Sequence, residues 1–288
     1  MRKSAAISPE PVQFVSRGEN LCGQYYQVGE ADECAVIICH GAFEHRGNWR
    51  SLAYRLSNGG FSTLIFDFSG HGESDGLRGL VDMSTWAYNL RDAINLLGRR
   101  GLRRFAVVGW DNGGSAALLA AAHDNRIVCV SVLAAPIRMM PSLAERVAYG
   151  LLSLVALGWK RILRRQFTLS RLPEFEALTM TVDVESNRRY LADPFVRQAL
   201  QSAPVPESLH TIWLDITSAV EKISTPVLLV YGEKDRHVPM KQSEILQKHL
   251  KGPSQLLLIP DAGHALHFEP GEAVYRELFD WISKYLGS

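Results

Sequence analysis

The chain alternates between short apolar runs and longer stretches with helical periodicity. Six runs are rich in Val, Ile and Leu and nearly continuous in hydrophobicity, as strands covered on both faces are. These runs are 34–39, 61–66, 105–110, 127–133, 226–231 and 255–259. Helical stretches occupy 49–57, 84–99, 113–123, 240–250 and 272–285. The alternation predicts an α/β fold with a mostly parallel sheet, covered by helices on both faces.

Two parts of the chain depart from this alternation. Segments 12–16 and 21–28 flank an Arg-Gly-Glu-Asn turn and predict an antiparallel hairpin at a sheet edge. After Pro136, about 80 residues carry helical patterns without a convincing strand, and a structureless loop of that length is uncommon. We interpret this block as an inserted helical cap. The predicted domains are therefore a core in two parts, 1–135 and 218–288, and a cap, 136–217.

Composition narrows the class of protein. The chain has 288 residues, 47% of them apolar, which is enough for a full globular core and excludes a disordered chain. Lys and Arg number 31 against 30 Asp and Glu, so no general electrostatic attraction to nucleic acid is expected. The four cysteines show no C-x-x-C spacing, and we find no apolar leader or membrane-spanning run. We expect a cytoplasmic protein.

The first candidate for chemistry follows the run 105–110. Ligands of open α/β sheets bind at the carboxyl ends of the strands. This strand end reads Gly-Trp-Asp-Asn-Gly-Gly, which has the spacing of the nucleophile elbow, G-x-S-x-G, with Asp111 at the centre. Taken alone, the hexapeptide also fits a glycine-rich turn in which Asp111 is an ordinary helix N-cap.

Two later strand ends complete a pattern. Asp235 follows the run 226–231, and His264 follows the run 255–259. Nucleophile, acid and histidine is the chain order of an α/β-hydrolase triad. The acid matters because its carboxylate fixes the imidazole tautomer and stabilises the imidazolium. Glu233 is a weaker candidate for the acid, and His267 for the base.

The strand end after 34–39 supplies candidate backbone donors. His40 and a glycine precede Ala42 there, so the Ala42 N–H can point into the site. Together with the Asn112 N–H it would form an oxyanion hole. For His40 we expect a hydrogen bond that orients the loop, and for His45 a position on the surface.

These motifs resemble a known family. Over about 34–135 the chain resembles the monoacylglycerol lipase and serine aminopeptidase branch of the α/β-hydrolase superfamily. The resemblance rests on HGAFEHRGNW at 40–49, FDFSGHGESDG at 66–76 and the elbow, and it extends to 232–239 and 263–270. It implies an α/β-hydrolase fold with a catalytic triad, and it covers the core but hardly the cap.

The chain departs from that branch at the decisive position. The lipases it resembles carry Gly-His-Ser-Met-Gly-Gly, whereas this chain has Asp111 in place of the serine. An elbow aspartate is similar to that of epoxide hydrolases and haloalkane dehalogenases, in which it forms an alkyl ester with the substrate. Their H-G-x-P loop is incomplete here, with Phe43 at the proline position, and Asn112 replaces their common aromatic residue.

An aspartate changes the chemistry that the site can perform. A carboxylate is already ionised at pH 7 and attacks without a base. His264 would then activate the water that hydrolyses an aspartyl ester. The first hypothesis is therefore a hydrolase that acts on an electrophilic saturated carbon, first of all an epoxide, of a small lipophilic substrate. Tyr149 and Tyr190 in the cap are the candidate proton donors.

Two alternatives stay open. The chain can be a lipase- or esterase-like protein that has lost its serine, and is then an inactive variant or a binding protein. It can also be a non-hydrolytic catalyst in which Asp111 acts as a base. We expect no cofactor, no metal and no nucleic-acid partner under any of these hypotheses.

One stretch of the predicted cap combines an apolar helix with a cationic end, as helices that contact membrane surfaces do. Residues 147–159 are apolar nearly all the way round the helix, and Lys160, Arg161, Arg164 and Arg165 follow. We favour a buried lid helix with a solvated basic end. The alternative is weak contact of this helix with lipid head groups or a lipophilic substrate.

Overall fold

The computed structural model describes residues 8–29, 33–207 and 213–287. The terminal residues of the two predicted core parts, and 208–212 of the predicted cap, lie outside it. The described strands are β1 (Glu10–Ser16), β2 (Glu19–Tyr26), β3 (Cys34–Cys39), β4 (Thr63–Phe66), β5 (Arg104–Trp110), β6 (Ile127–Leu133), β7 (Phe167–Leu169), β8 (Ala203–Val205), β9 (Val227–Gly232) and β10 (Ser254–Ile259).

Eight of these strands form the central sheet, in the order β1-β2-β4-β3-β5-β6-β9-β10. β1 and β2 make the predicted antiparallel edge hairpin, although its turn is only Arg17–Gly18. β2 is antiparallel to β4, and the remaining pairs are parallel. β4 begins at Thr63, because the Phe61 amide donates to the Leu56 carbonyl instead. The predicted mostly parallel sheet is confirmed.

Helices cover this sheet. They are α1 (Arg50–Asn58), α2 (Met83–Gly98), α3 (Asn112–Ala121), α4 (Leu143–Leu163), α5 (Leu172–Leu178), α6 (Val184–Ala192), α7 (Pro194–Gln201), α8 (Thr217–Val220), α9 (Lys241–His249) and α10 (Ala273–Leu286). α1 packs on β4, α3 on β5 and β6, and α10 on β5 and β6. Consecutive residues of β9 are all buried, as they are in β4, so these strands are covered on both faces.

The segment between β6 and β9 is mainly helical, but it contains two strands that the sequence does not signal. β7 and β8 pair antiparallel in a separate two-stranded sheet. Each strand has three residues, which is too short to show a period-two pattern. The favoured interpretation of 147–159 as a buried helix is wrong. The elements that α4 mainly contacts are β7 and β8, and Ala156 is the one residue of α4 that is buried.

Polar contacts hold the cap against the strand ends. The Glu269 carboxylate accepts N–H bonds from Gly263, at 2.7 Å, and from Val182 in the cap, at 2.8 Å. His45 Nδ1 accepts from the Gly47 amide, so its Nε2–H donates to the Asp193 carboxylate at 3.1 Å. The expectation of a surface position for His45 is wrong, because this contact leaves its side chain only 12% exposed. Among the described helices, none is long and apolar enough to cross a membrane.

The start of α3 makes a prediction about stability. A Cβ atom at Gly113 would clash with the His40 carbonyl oxygen, a backbone atom that cannot easily move. We expect Gly113→Ala to lower the free energy of unfolding by about 3 kcal/mol. Gly150→Ala in α4 is the matched control, because nothing lies within 4 Å of its added methyl group. Urea unfolding measures both, and equal effects would contradict the close approach at Gly113.

Candidate active site

Asp111 lies in a sharp turn between β5 and α3. Its backbone has φ 50° and ψ −128°, a conformation that a non-glycine residue adopts only at a cost. Its side chain makes no capping hydrogen bond to α3. The N-cap interpretation is therefore wrong, and the turn directs the carboxylate toward neighbouring strand ends instead.

The Asp111 carboxylate binds the backbone donors predicted for an oxyanion hole. Oδ2 accepts a hydrogen bond from the Ala42 N–H at 3.0 Å. The Asn112 N–H, the second predicted donor, lowers the pKa of this carboxyl. These two amides thus interact with an anion that belongs to the protein itself.

His264 lies between two carboxylates. Its Nδ1 is 2.8 Å from Asp235 Oδ2, and its Nε2 is 3.7 Å from Asp111 Oδ1. Hydrogen bonds also orient Asp235, because its Oδ1 accepts the backbone N–H groups of His237 and Val238 at 2.8 and 2.9 Å. The structure thus brings together the three residues predicted as a triad. Glu233, the weaker candidate for the acid, is exposed.

Burial and neighbouring charges shift the pKa values of both Asp111 and His264. Burial alone would lower the pKa of His264, but Asp235 and then Asp111 outweigh burial and raise that pKa above its usual value. Burial raises the pKa of Asp111, against the opposing effects of His264 and the two amides. Each group therefore favours the charged form of the other, although Nε2 and Oδ1 are too far apart, at 3.7 Å, for a hydrogen bond.

A second imidazole–carboxylate pair lies in the loops beside this site. His267 Nε2 is 2.7 Å from Glu44 Oε1, and the Trp49 indole N–H donates to Glu44 Oε2 at 2.7 Å. The ring of His267 stacks on Trp49 with centroids 4.0 Å apart. His267 thus has a buried carboxylate partner of its own, which disfavours it as the base. Sequence reasoning missed Glu44 as a site residue, although it lies only two residues beyond the predicted oxyanion donor Ala42.

His40 orders the loop that carries Ala42. Its Nε2 accepts the Phe68 amide at 3.0 Å, so its Nδ1 carries the proton that bonds to the Gly41 carbonyl at 2.8 Å. Burial lowers the pKa of His40 to about 4, which keeps this tautomer neutral. The contacts fit the orienting role expected from the sequence.

The two tyrosines named from the sequence lie in different environments. Tyr190 is fully buried, packs edge-on against Trp110 and Phe268, and its hydroxyl has no hydrogen-bond partner among the described residues. The pKa of Tyr190 is raised by burial and by the charges of nearby carboxylates, Asp111 among them. Tyr149 instead packs on Trp213 and on a small cluster around Ala156, separate from the main core.

His237 was missed from the sequence. Its ring centroid lies 5.2 Å from that of His264, and its buried Nε2 has no partner within the described chain. Burial lowers its pKa to about 4. Its position two residues after the predicted acid, Asp235, could have identified it as a site residue.

A model of the family described as "Serine aminopeptidase, S33" matches residues 30–271. The chain belongs to this family. It is 28% identical over 286 residues to the human protein named monoglyceride lipase, covering 93% of this chain and 88% of the relative. It is 25% identical over 256 residues to monoacylglycerol lipase of Mycolicibacterium smegmatis, covering 87% and 88%.

A solved structure shows the same fold. The α/β hydrolase GrgF from Penicillium sp. sh18 matches with a TM-score of 0.83 at 20% identity, over 98% of this chain and 100% of that one. The α/β-hydrolase fold and the resemblance to the monoacylglycerol lipase branch are confirmed. These similarities support a lipase- or esterase-like hydrolase family, and they give no support to an epoxide substrate.

The geometry predicts how His264 titrates. Its raised pKa depends on both carboxylates, so we expect that pKa to fall in Asp111→Asn and to fall further in Asp235→Asn. Histidine ring NMR shifts followed against pH measure this, with His40 as an internal control. A raised folded-state pKa contributes stability that is complete below about pH 6.5 and is lost as pH rises through that pKa. An unchanged His264 titration in Asp111→Asn would contradict the pairing.

Proposed function

We propose that this chain is a monoacylglycerol lipase-type protein in which Asp111 stands at the serine position, and that it binds a small lipophilic molecule without hydrolysing esters. The observation that carries this proposal is the hydrogen bond from the Ala42 N–H to Asp111 Oδ2. An oxyanion hole stabilises a substrate oxygen only if its donors are available to it. Here the protein's own carboxylate takes the Ala42 donor.

The chemistry of a carboxylate adds a second reason. Attack of Asp111 on an ester carbonyl would give a mixed anhydride and would have to expel an alkoxide. The alkoxide is the far more basic group, so the tetrahedral intermediate returns to the starting ester. A serine avoids this problem, because its attack gives an ester of the same kind as the one broken. The replacement therefore disables the family's hydrolytic route.

The site still offers specific contacts to a ligand. The His264 imidazole is one polar group, and the Tyr190 hydroxyl, which has no partner among the described residues, is another. The aromatic ring of Trp110 lies beside His264, and that of Phe268 beside Tyr190. This combination suits an apolar molecule that carries one hydrogen-bonding head group.

A covalent aspartyl ester is the second candidate function. One oxygen of Asp111 lies in the oxyanion hole while the other faces His264 Nε2, at 3.7 Å. In this scheme the carboxylate attacks a saturated carbon, an epoxide C–O bond breaks, and Tyr190 protonates the released oxygen. Water then attacks the Asp111 carbonyl carbon as His264 takes one of its protons, and His264 passes that proton to the oxygen of the departing alcohol. The second proton of the water returns to Tyr190 as the Asp111 carboxylate is regenerated. The observation that favours this scheme is that the two carboxylate oxygens of Asp111 face different partners, the Ala42 N–H and His264.

The serine position provides the direct test. We expect the parent protein to show no hydrolysis of short p-nitrophenyl esters above background, and Asp111→Ser to gain activity by at least about a hundredfold. The serine frees both amides and places a hydroxyl beside His264. Asp111→Ala, which frees the amides without adding a nucleophile, and Asp111→Ser with His264→Ala are the matched controls. Parent activity equal to that of Asp111→Ser would contradict the proposal.

Labelled water separates the two candidate functions. We expect a single-turnover experiment in heavy-oxygen water with a lipophilic epoxide to give no diol and no label in Asp111. Label in the Asp111 side chain, found by mass spectrometry of the peptide, would instead establish the aspartyl ester. His264→Gln would then accumulate an adduct of the substrate mass, because water activation is lost.

A further inference from the structure

The last strand of the central sheet, β10, has one edge with which no described strand pairs. β10 is parallel to β9 and ends the strand order of the sheet. The carbonyls of Pro253 and Ile259 accept N–H bonds from the first residue of β9 and from the residue after that strand. Because backbone groups alternate in direction along a strand, the N–H and C=O groups of Ser254, Leu256 and Leu258 point to the free edge.

The opposite edge of the sheet is protected against pairing, whereas the free edge of β10 is not. β1 carries Glu10, a charge, and Pro11, which has no backbone N–H, and both kinds of residue block the addition of a strand. β10 reads Ser-Gln-Leu-Leu-Leu-Ile and contains neither. The Leu258 side chain is 40% exposed there. An apolar edge strand without these devices is typical of an edge that pairs with another chain.

The two ends of β10 differ in charge. Lys248 and Lys251 precede the strand and are exposed, and neither forms an ion pair with any residue that the structure describes. Glu233 and Asp261 are exposed beyond its carboxyl end, where Asp261 bonds to Lys234 at 2.6 Å. An antiparallel copy of the same strand would bring the lysines of one chain to the carboxylates of the other. The edge is therefore complementary to itself.

A second copy of the chain fits this edge in a defined register. In an antiparallel pair, residues whose backbone groups point at each other form the hydrogen-bonded pairs. With a twofold axis at Leu256, that residue faces its own counterpart, and Ser254 faces Leu258 of the second copy. Lys251 then faces Asp261 of the second copy. We propose that the chain forms a twofold dimer in which the β10 strands pair antiparallel about Leu256 and join the two sheets.

Sedimentation velocity of the full chain over a range of concentrations tests the proposal. We expect a monomer–dimer equilibrium. Leu258→Lys should weaken dimerisation about thirtyfold, because one partly exposed leucine in each copy loses the burial that pairing gives it. Val15→Lys is the matched control, because Val15 is 64% exposed on the other edge strand, β1. A parent that stays monomeric at every concentration, or a dimer that Val15→Lys weakens as much as Leu258→Lys does, would overturn the proposal.

Cross-linking tests the register. Residues of a hydrogen-bonded antiparallel pair have Cα atoms about 5.5 Å apart, which a disulfide can span. Mild oxidation should therefore link Leu256→Cys into a covalent dimer, seen on a non-reducing gel. Ser254→Cys is the matched control, because the two copies of this position lie four residues apart in the proposed register, about 14 Å. The parent, with its four native cysteines, gives the background.

The two measurements decide the proposal together. Circular dichroism melts identify any variant that fails to fold, and the cross-linking result decides if Leu258→Lys is such a variant. Equal cross-linking of Leu256→Cys and Ser254→Cys would overturn the pairing about Leu256. So would the absence of any link in Leu256→Cys at concentrations where the parent is a dimer.

Discussion

The hydrogen bond between the Ala42 N–H and the Asp111 carboxylate is the constraint on which the site depends. It joins the loop after β3 to the elbow after β5, and it places a negative charge where a reacting ester would develop one. The strained backbone at Asp111 persists because the surrounding strand, helix and loop hold it in place. The Ala42 amide, a predicted oxyanion donor, therefore already binds an anion of the protein itself.

That anion accounts for the electrostatics around it. His264 lies between Asp111 and Asp235, so the imidazolium is stabilised on both sides even though it is buried. The neighbouring pair of Glu44 and His267 adds a second buried imidazole–carboxylate contact, whose stacking and hydrogen bonds leave little freedom in the two loops. Removing one member of such a pair costs far more than the pair contributes, so these charges act as a set.

The sequence predicted the parts of the molecule whose signals are local. Buried strands such as β3 and β6 matched their apolar runs to the residue, because each is continuous in hydrophobicity and ends in a turn. The order of the three site residues was visible for the same reason, since each follows a strand. β7 and β8 were missed because their pairing joins distant residues, and the exposure of α4 depends on what packs beside it. The Glu44–His267 pair was missed because nothing in the sequence indicates which carboxylate meets which imidazole.

Family membership and chemistry thus diverge at one side chain. The chain belongs to the serine aminopeptidase family, yet the central position of its predicted nucleophile elbow carries Asp111, whose carboxylate accepts the Ala42 N–H. The most direct test is the NMR shift of the Ala42 amide proton in nitrogen-15-labelled protein. The account predicts a strongly downfield proton, from a charge-assisted hydrogen bond, that moves upfield in Asp111→Ala. The same shift in both proteins would show that the carboxylate does not occupy the oxyanion hole.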